Sequence, residues 1–183
     1  MTLLVLDLEY NQPTRRIIQV GVVRVDTTQG NIEPLFDSLV NPEEPLDAYI
    51  TRLTGISQED VDAAPTQGTV LDAFWQVVKD LPGPVTLGGW GDDTAKLLRE
   101  TQRSKVTPLP IIEANFMTMW DVFRLQGEHK TSPKTRGLKA VMKHYGVTFR
   151  GNHHHALTDA WATAEVLLKM RQEMLALLGI EQG

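Results

Sequence analysis

The sequence contains no cysteine, which excludes disulfides, zinc–thiolate centres and thiol catalysis and leaves oxygen and imidazole as the metal donors. It also lacks any apolar run approaching membrane-spanning length, any internal repeat and any low-complexity tract. The run Leu3 to Leu6 meets an acid at Asp7, too soon for the apolar core of a signal peptide. These absences predict a reducing, cytoplasmic setting with no membrane contact. A basic excess is missing too. The formal net charge is -5, which argues against a protein that coats nucleic acid nonspecifically. The average conceals an asymmetry: Lys130, Lys134, Arg136, Lys139, Lys143 and Arg150 occur with no intervening acid, whereas residues 41–72 carry only Arg52 among their acids. Solvated helix faces account for such a difference as well as a phosphate-binding surface does.

What is present is ordinary for a globular chain. With 183 residues, 42% hydrophobic and 22% charged, a single domain over 1–183 is expected. The apolar runs Leu3 to Leu8 and Ile17 to Val25 predict buried strands, joined through the turn chemistry of Asn11-Gln12-Pro13-Thr14 into an antiparallel hairpin. Glu33 to Val40 adds a third strand. Helices are predicted over Leu46–Leu53, closed by Gly55, and after Ser57, where Asp60 completes a capping box. A further helix spans Thr69–Leu81, with Val70, Phe74, Val77 and Val78 on its apolar face. Pro84–Leu87 returns to strand, and Asp92–Thr101 to helix with Leu97 and Leu98 inward. Ile111–Met117 predicts a fifth strand, Thr135–Tyr145 a helix, and Leu157–Leu178 a long final helix with Leu157, Trp161, Ala164, Leu168 and Leu175 as its apolar stripe. Trp75, Trp120 and Trp161 are assigned to the core. This order of elements predicts an α/β fold with a mixed sheet flanked by helices rather than a doubly wound parallel sheet.

Asp7 and Glu9 stand two apart on a strand, so the pleat sends both carboxylates to one face. Two like charges there are costly without a cation, and hard oxygen donors suit Mg²⁺ or Mn²⁺. A strand that simply ends in solvent gives the same spacing. Asp60 and Asp62 repeat it in a polar, helix-like stretch where solvation is the better account. His153, His154 and His155 precede the final helix, and only His154 has an aspartate five residues on, at Asp159. Five residues along one helix place side chains about 140° apart, so His154 belongs on the entering loop and Asp159 in the first turns. Gly88-Gly89-Trp90-Gly91-Asp92-Asp93 leads from a strand into a helix. One aspartate suffices for an N-cap, leaving the other for a metal or its water shell.

Together these segments resemble the DEDDh 3′→5′ exonucleases, which are related to polymerase proofreading subunits, RNase T and oligoribonuclease. Asp7-Leu8-Glu9-Tyr10 looks like the first motif. Ile17-Ile18-Gln19-Val20-Gly21 resembles the second strand, with Gln19 where an acid is common. Asn41-Pro42 and Leu53-Thr54-Gly55-Ile56 resemble the segment beside the terminal nucleotide. Trp90-Gly91-Asp92-Asp93 with Lys96-Leu97-Leu98 is similar to the second motif, most of all in the branch of histone-mRNA and sporulation-linked exonucleases. Gly151 to Ala160 resembles the third motif, with His155 where Arg is frequent and Thr158 where a second Asp is frequent.

The resemblance implies an RNase H-like five-stranded sheet, two divalent ions (Mg²⁺ or Mn²⁺) on Asp7, Glu9, Asp93 and Asp159, and His154 as general base. Asp93 is preferred to Asp92 because Lys96-Leu97-Leu98 falls at the family's distance from it. The implied substrate is single-stranded DNA or RNA with a free 3′ end, contacted by Leu8, Tyr10, Leu53, Ile56 and Trp90. Core packing is an equal expectation for Leu53 and a stronger one for Tyr10. An inactive nucleic-acid-binding module of the same fold and a phosphodiesterase acting on dinucleotides or short oligonucleotides are the competing expectations.

Overall fold

The computed structural model describes residues 2–125, 134–151 and 153–179. Strands β1 (Thr2–Tyr10), β2 (Ile17–Asp26) and β3 (Asn31–Leu39) form an antiparallel meander, each antiparallel to the next. β4 (Val85–Gly89) lies parallel to β1, and β5 (Ile112–Asn115) parallel to β4, giving the order β3-β2-β1-β4-β5. Helices α1 (Ala48–Thr54), α2 (Gln58–Asp62) and α3 (Gln67–Lys79) follow β3, and α4 (Asp93–Arg103) follows β4. α5 (Phe116–Leu125), α6 (Leu138–Tyr145) and α7 (Ala156–Leu177) come after β5. This is the expected RNase H-like mixed sheet with flanking helices.

β1 is central, so both of its faces are covered, and that is why its sequence reads as a nearly continuous apolar run. Leu4, Leu6 and Leu8 pack on one face with Val70, Leu71, Phe74 and Trp75 of α3 and Leu97 of α4. On the other face Val5 packs with Ala160, Ala164 and Leu167 of α7 and with Phe116 and Trp120. The caps follow the local sequence. Asp47 accepts from the Tyr49 amide at 2.8 Å at the start of α1, and Ser57 and Asp60 form the reciprocal capping box of α2. Gly55 closes α1 in the left-handed conformation with φ 77°.

Three expectations are corrected. Ile111–Met117 is not one strand: β5 stops at Asn115, whose Oδ1 accepts from the Thr118 amide at 3.0 Å. Phe116 and Trp120, four apart and both buried, then face the core from α5, a helix that the alternation of apolar residues did not announce. The helix expected from Thr135 begins at Leu138, after Gly137 at its N-cap. On α7, Ala164 alone of the expected stripe is buried; the buried residues are instead Ala156, Asp159, Ala160, Ala162, Thr163, Ala164, Val166, Leu167 and Met170. Small side chains let the helix approach the sheet closely, which outweighs the larger apolar area of Leu157 or Trp161. Trp161 is accordingly half-buried, with Arg150 5.1 Å over its ring, while Trp75 and Trp120 are buried. No helix among the described residues is long and apolar enough to cross a membrane.

Candidate active site

The pleat of β1 puts Asp7 and Glu9 on the face that α7 covers. In the ladder Asp7 lies opposite Gly21 and Glu9 opposite Gln19 of β2. Gly21 is what permits the close approach of α7: a Cβ there would lie 2.1 Å from the Leu157 nitrogen and 2.3 Å from the Ala156 carbonyl carbon. Gln19, 2% exposed, fixes the start of α7 from below. Its Oε1 accepts from the Ala156 amide at 3.1 Å, and its Nε2 donates to Asp37 Oδ1 at 2.9 Å and faces His155 Nε2 at 3.0 Å. Asp159, in the first turn of α7 and 5% exposed, is thereby brought down onto the strand pair. Asp7, Glu9 and Asp159 each present a ligand oxygen, and these atoms lie within 4.8 Å of one another.

The fourth carboxylate arrives from β4. That strand is parallel to β1 with Gly88 beside Val5, so its end delivers Asp93, the first residue of α4, to the same edge as Asp7. Asp93 Oδ1 accepts from the Tyr10 hydroxyl at 3.1 Å and faces Lys96 Nζ at 3.6 Å. Asp92 points outward, its side chain 64% exposed, and pairs with Lys96 at 2.8 Å. Asp93, and not Asp92, is therefore the aspartate that turns toward Tyr10 and whose charge reaches Asp7 and Glu9.

The electrostatics show what the cluster lacks. Burial, and then the charges of Asp93, Glu9 and Asp159, hold Asp7 well above the usual carboxylate range. Burial followed by Asp159 and Asp93 pushes Glu9 up to about 8. Burial also raises Asp93, against the pull of Lys96, and Asp159, against that of His153. Four carboxylates in one place with one nearby ammonium are under-compensated, and a donor set of oxygens alone fits Mg²⁺ or Mn²⁺.

This shift has a definite pH consequence. A carboxyl whose pKa is raised on folding adds stability below its unfolded value and loses that contribution as pH rises through the folded value. For Glu9 the window runs from 4.5 to about 8, and Asp7, Asp93 and Asp159 act with the same sign. The metal-free protein is expected to lose on the order of a few kcal/mol between pH 5 and pH 8.5. The gain in Tm on adding Mg²⁺ or Mn²⁺ should be larger at pH 8.5 than at pH 5.5. Thermal denaturation followed by circular dichroism, with and without chelator, measures both; equal metal effects at the two pH values would contradict the assignment.

The three histidines have separate surroundings. His154 lies on the entering loop as expected, with φ 63°, and its amide donates to Asp159 Oδ2 at 3.3 Å. Its imidazole does not keep its ordinary pKa: burial, and then His153, lower it. His153, which no spacing along the chain singles out, contacts Asp159 through Nδ1 at 3.2 Å. Its ring stacks between Phe149 and His154, with centroid distances of 4.4 and 3.8 Å. In the sequence Gln19 stands out only as an amide where the resembled family commonly has an acid. The signal for its structural role was a lone amide within the apolar run Ile17 to Val25.

The expected substrate contacts are less well matched. Leu8 turns its side chain into the core on the face away from the carboxylates and is 4% exposed, because the pleat that gathers Asp7 and Glu9 necessarily sends Leu8 the other way. Ile56 and Trp90 are buried, and Trp90 Nε1 donates to the Arg136 carbonyl at 3.0 Å. Leu53 is half-buried against Ile18, Ile50, Ile56 and Val61. Tyr10 is tied to Asp93, as described. In the basic stretch, Arg136 pairs with Asp121 and Arg150 with Glu165, Lys139 and Lys143 are exposed, and Lys130 lies outside the described residues.

Comparison with known proteins bears on this arrangement. The RNase T model, described as Exonuclease, matches residues 4–167. A PolC-type DNA polymerase III of Caldanaerobacter subterraneus is 29% identical over 158 residues, covering 86% of this chain and 10% of the polymerase. The ERI1 exoribonuclease 2 of Danio rerio is 29% identical over 185 residues, covering 88% of this chain and 32% of the relative. The chain thus spans about a tenth of the one and a third of the other. Among solved structures, the nuclease domain of 3′hExo, a DEDDh family member bound to rAMP, is 25% identical with a TM-score of 0.81, covering 94% of this chain and 92% of that one.

Proposed function

Because the chain belongs to the RNase T exonuclease family, we propose that it is a DEDDh 3′→5′ exonuclease that shortens single-stranded nucleic acid from a free 3′ end and releases nucleoside 5′-monophosphates. One observation carries this reading: the carboxylates of Asp7 and Glu9 from β1 and of Asp159 from α7 present oxygens within 4.8 Å of one another beside the histidine loop, and Asp93 at the start of α4 adds its charge to theirs. Asp7, which feels the charges of all three others, would hold both divalent ions. Glu9 and Asp159 would complete the site on the side of the attacking water, and Asp93 would serve the other ion through its water shell. When bound, the ions supply charge neutralisation for the phosphate, a more acidic water and stabilisation of the departing 3′ oxygen.

The chain's own residues do the rest. His154 takes the proton of the attacking water on an imidazole nitrogen, and its lowered pKa keeps that nitrogen free at neutral pH. Lys139 and Lys143 of α6 are free to meet upstream phosphates, and the exposed part of Leu53 to meet the terminal nucleotide. The test is incubation with 5′-labelled single-stranded RNA and DNA and either metal, with and without chelator. A ladder shortening from the 3′ end is expected. No cleavage with either metal would favour a binding module, and cleavage confined to dinucleotides a small-substrate phosphodiesterase.

His154→Ala is expected to lower kcat by about 10²- to 10⁴-fold, the range of a lost general base. His153→Ala should retain most activity, since its contact with Asp159 is one that a metal on that carboxylate would replace. Steady-state kinetics of the two variants decides; the larger loss in His153→Ala would place the base there.

A further inference from the structure

Asp92 has no part in the carboxylate cluster. It occupies the N-cap position of α4 without making a side-chain cap bond. What it does hold is Lys96, one turn on, at 2.8 Å, and the lysine side chain is only 13% exposed. Lys96 Nζ stands 3.6 Å from Asp93 Oδ1 and 4.6 Å from the centre of the Tyr10 ring. The same Oδ1 accepts the Tyr10 hydroxyl. A lysine drawn fully onto Asp93 would cancel the charge that a divalent ion needs. Two attractions oppose this: the competing carboxylate of Asp92 at the favourable i, i+4 spacing, and the face of the Tyr10 ring.

We propose that Asp92 is a positioning residue which, with Tyr10, draws the Lys96 ammonium out of closest contact with Asp93, leaving that ion pair at 3.6 Å against 2.8 Å to Asp92, and so keeps the Asp93 carboxylate available to a divalent cation. The proposal rests on the metal-dependent reading above. It gives the outer aspartate of the pair a task that exposure alone would not suggest, and it makes Lys96 an internal competitor of the metal. Asp92→Asn keeps the shape of the side chain but removes its hold on the ammonium, which then moves onto Asp93.

The experiment is Mn²⁺ binding to the metal-stripped full chain without substrate, read by the electron paramagnetic resonance of free Mn²⁺. Wild type is compared with Asp92→Asn, Lys96→Gln and the double variant. Asp92→Asn should weaken Mn²⁺ binding about fivefold, the size of one partly exposed ion pair. The double variant should bind within about twofold of Lys96→Gln, because no ammonium remains to be released. Unchanged binding in Asp92→Asn, or a double variant as weak as that single one, overturns the proposal. A wild type that binds no Mn²⁺ would overturn the metal reading itself, and this inference with it.

Discussion

Asp7→Asn should reduce turnover by about 10³-fold or more while making the metal-free protein harder to unfold at pH 8. The two effects have one cause. Asp7 is the carboxylate whose ionisation burial and three neighbouring acids oppose together, so an amide of the same shape relieves repulsion that the native chain carries. The same substitution removes the carboxylate placed among all the others, and with it several kcal/mol of charge stabilisation in the transition state. Active sites commonly trade stability for function in this way. Activity on a labelled oligonucleotide and the chelated Tm, measured on one preparation, test both halves. Turnover within tenfold of wild type would remove Asp7 from the metal site, and a lowered chelated Tm would contradict the repulsion.

Gly21→Ala should be the most damaging single-methyl change on the sheet. The added Cβ would meet backbone atoms of Ala156 and Leu157 at 2.1 to 2.5 Å, and backbone cannot rotate away as a side chain can. α7 must therefore lift from β2 by an ångström or more. Its first turn carries Asp159 and follows His154, so the carboxylate cluster opens with it. Overpacking of this kind costs about 1–3 kcal/mol, which for a chain of this size lowers Tm by roughly 3–10 °C. Misplacement of the site by about 1 Å is worth ~10²-fold in rate. Gly68→Ala is the control, because a Cβ there meets only Ser104 Cβ at 3.9 Å and alanine favours the helix. Calorimetry and kinetics of the pair decide: a Gly21→Ala protein as stable and active as the Gly68→Ala one would mean that α7 does not depend on that close approach.

Much of the site was legible along the chain because its parts are periodic or local. The two-residue spacing of Asp7 and Glu9 needs only the pleat to place both on one face. The choice of His154 over its neighbours followed from its distance to Asp159 and a helix start, and the loop position is what the structure has. The apolar stripe of α7 misled for a related reason: area favours Leu157 and Trp161 as core residues, but the sheet beneath has a glycine, so the alanines go inward. The Phe116 helix escaped because strand and helix look alike over a short apolar stretch, and the deciding bond comes from the Asn115 side chain.

By itself, then, the sequence determined which residues could be acids, bases and strand-formers, and which of them share a face, since those properties depend on side-chain chemistry and on a backbone repeat of two or 3.6 residues. The preference for Asp93 over Asp92 came instead from the resemblance, in which Lys96-Leu97-Leu98 falls at the family's distance from Asp93. Only the tertiary structure decided that Asp93 meets Asp7, because that requires β4 to lie parallel beside β1. Folding alone likewise decided that Gln19 holds the start of α7, that His153 rests on Asp159, and that the Tyr10 hydroxyl donates to Asp93. Each of these last contacts joins residues brought together by chain reversal, crossover or a left-handed loop residue, and no local periodicity encodes the distance between them.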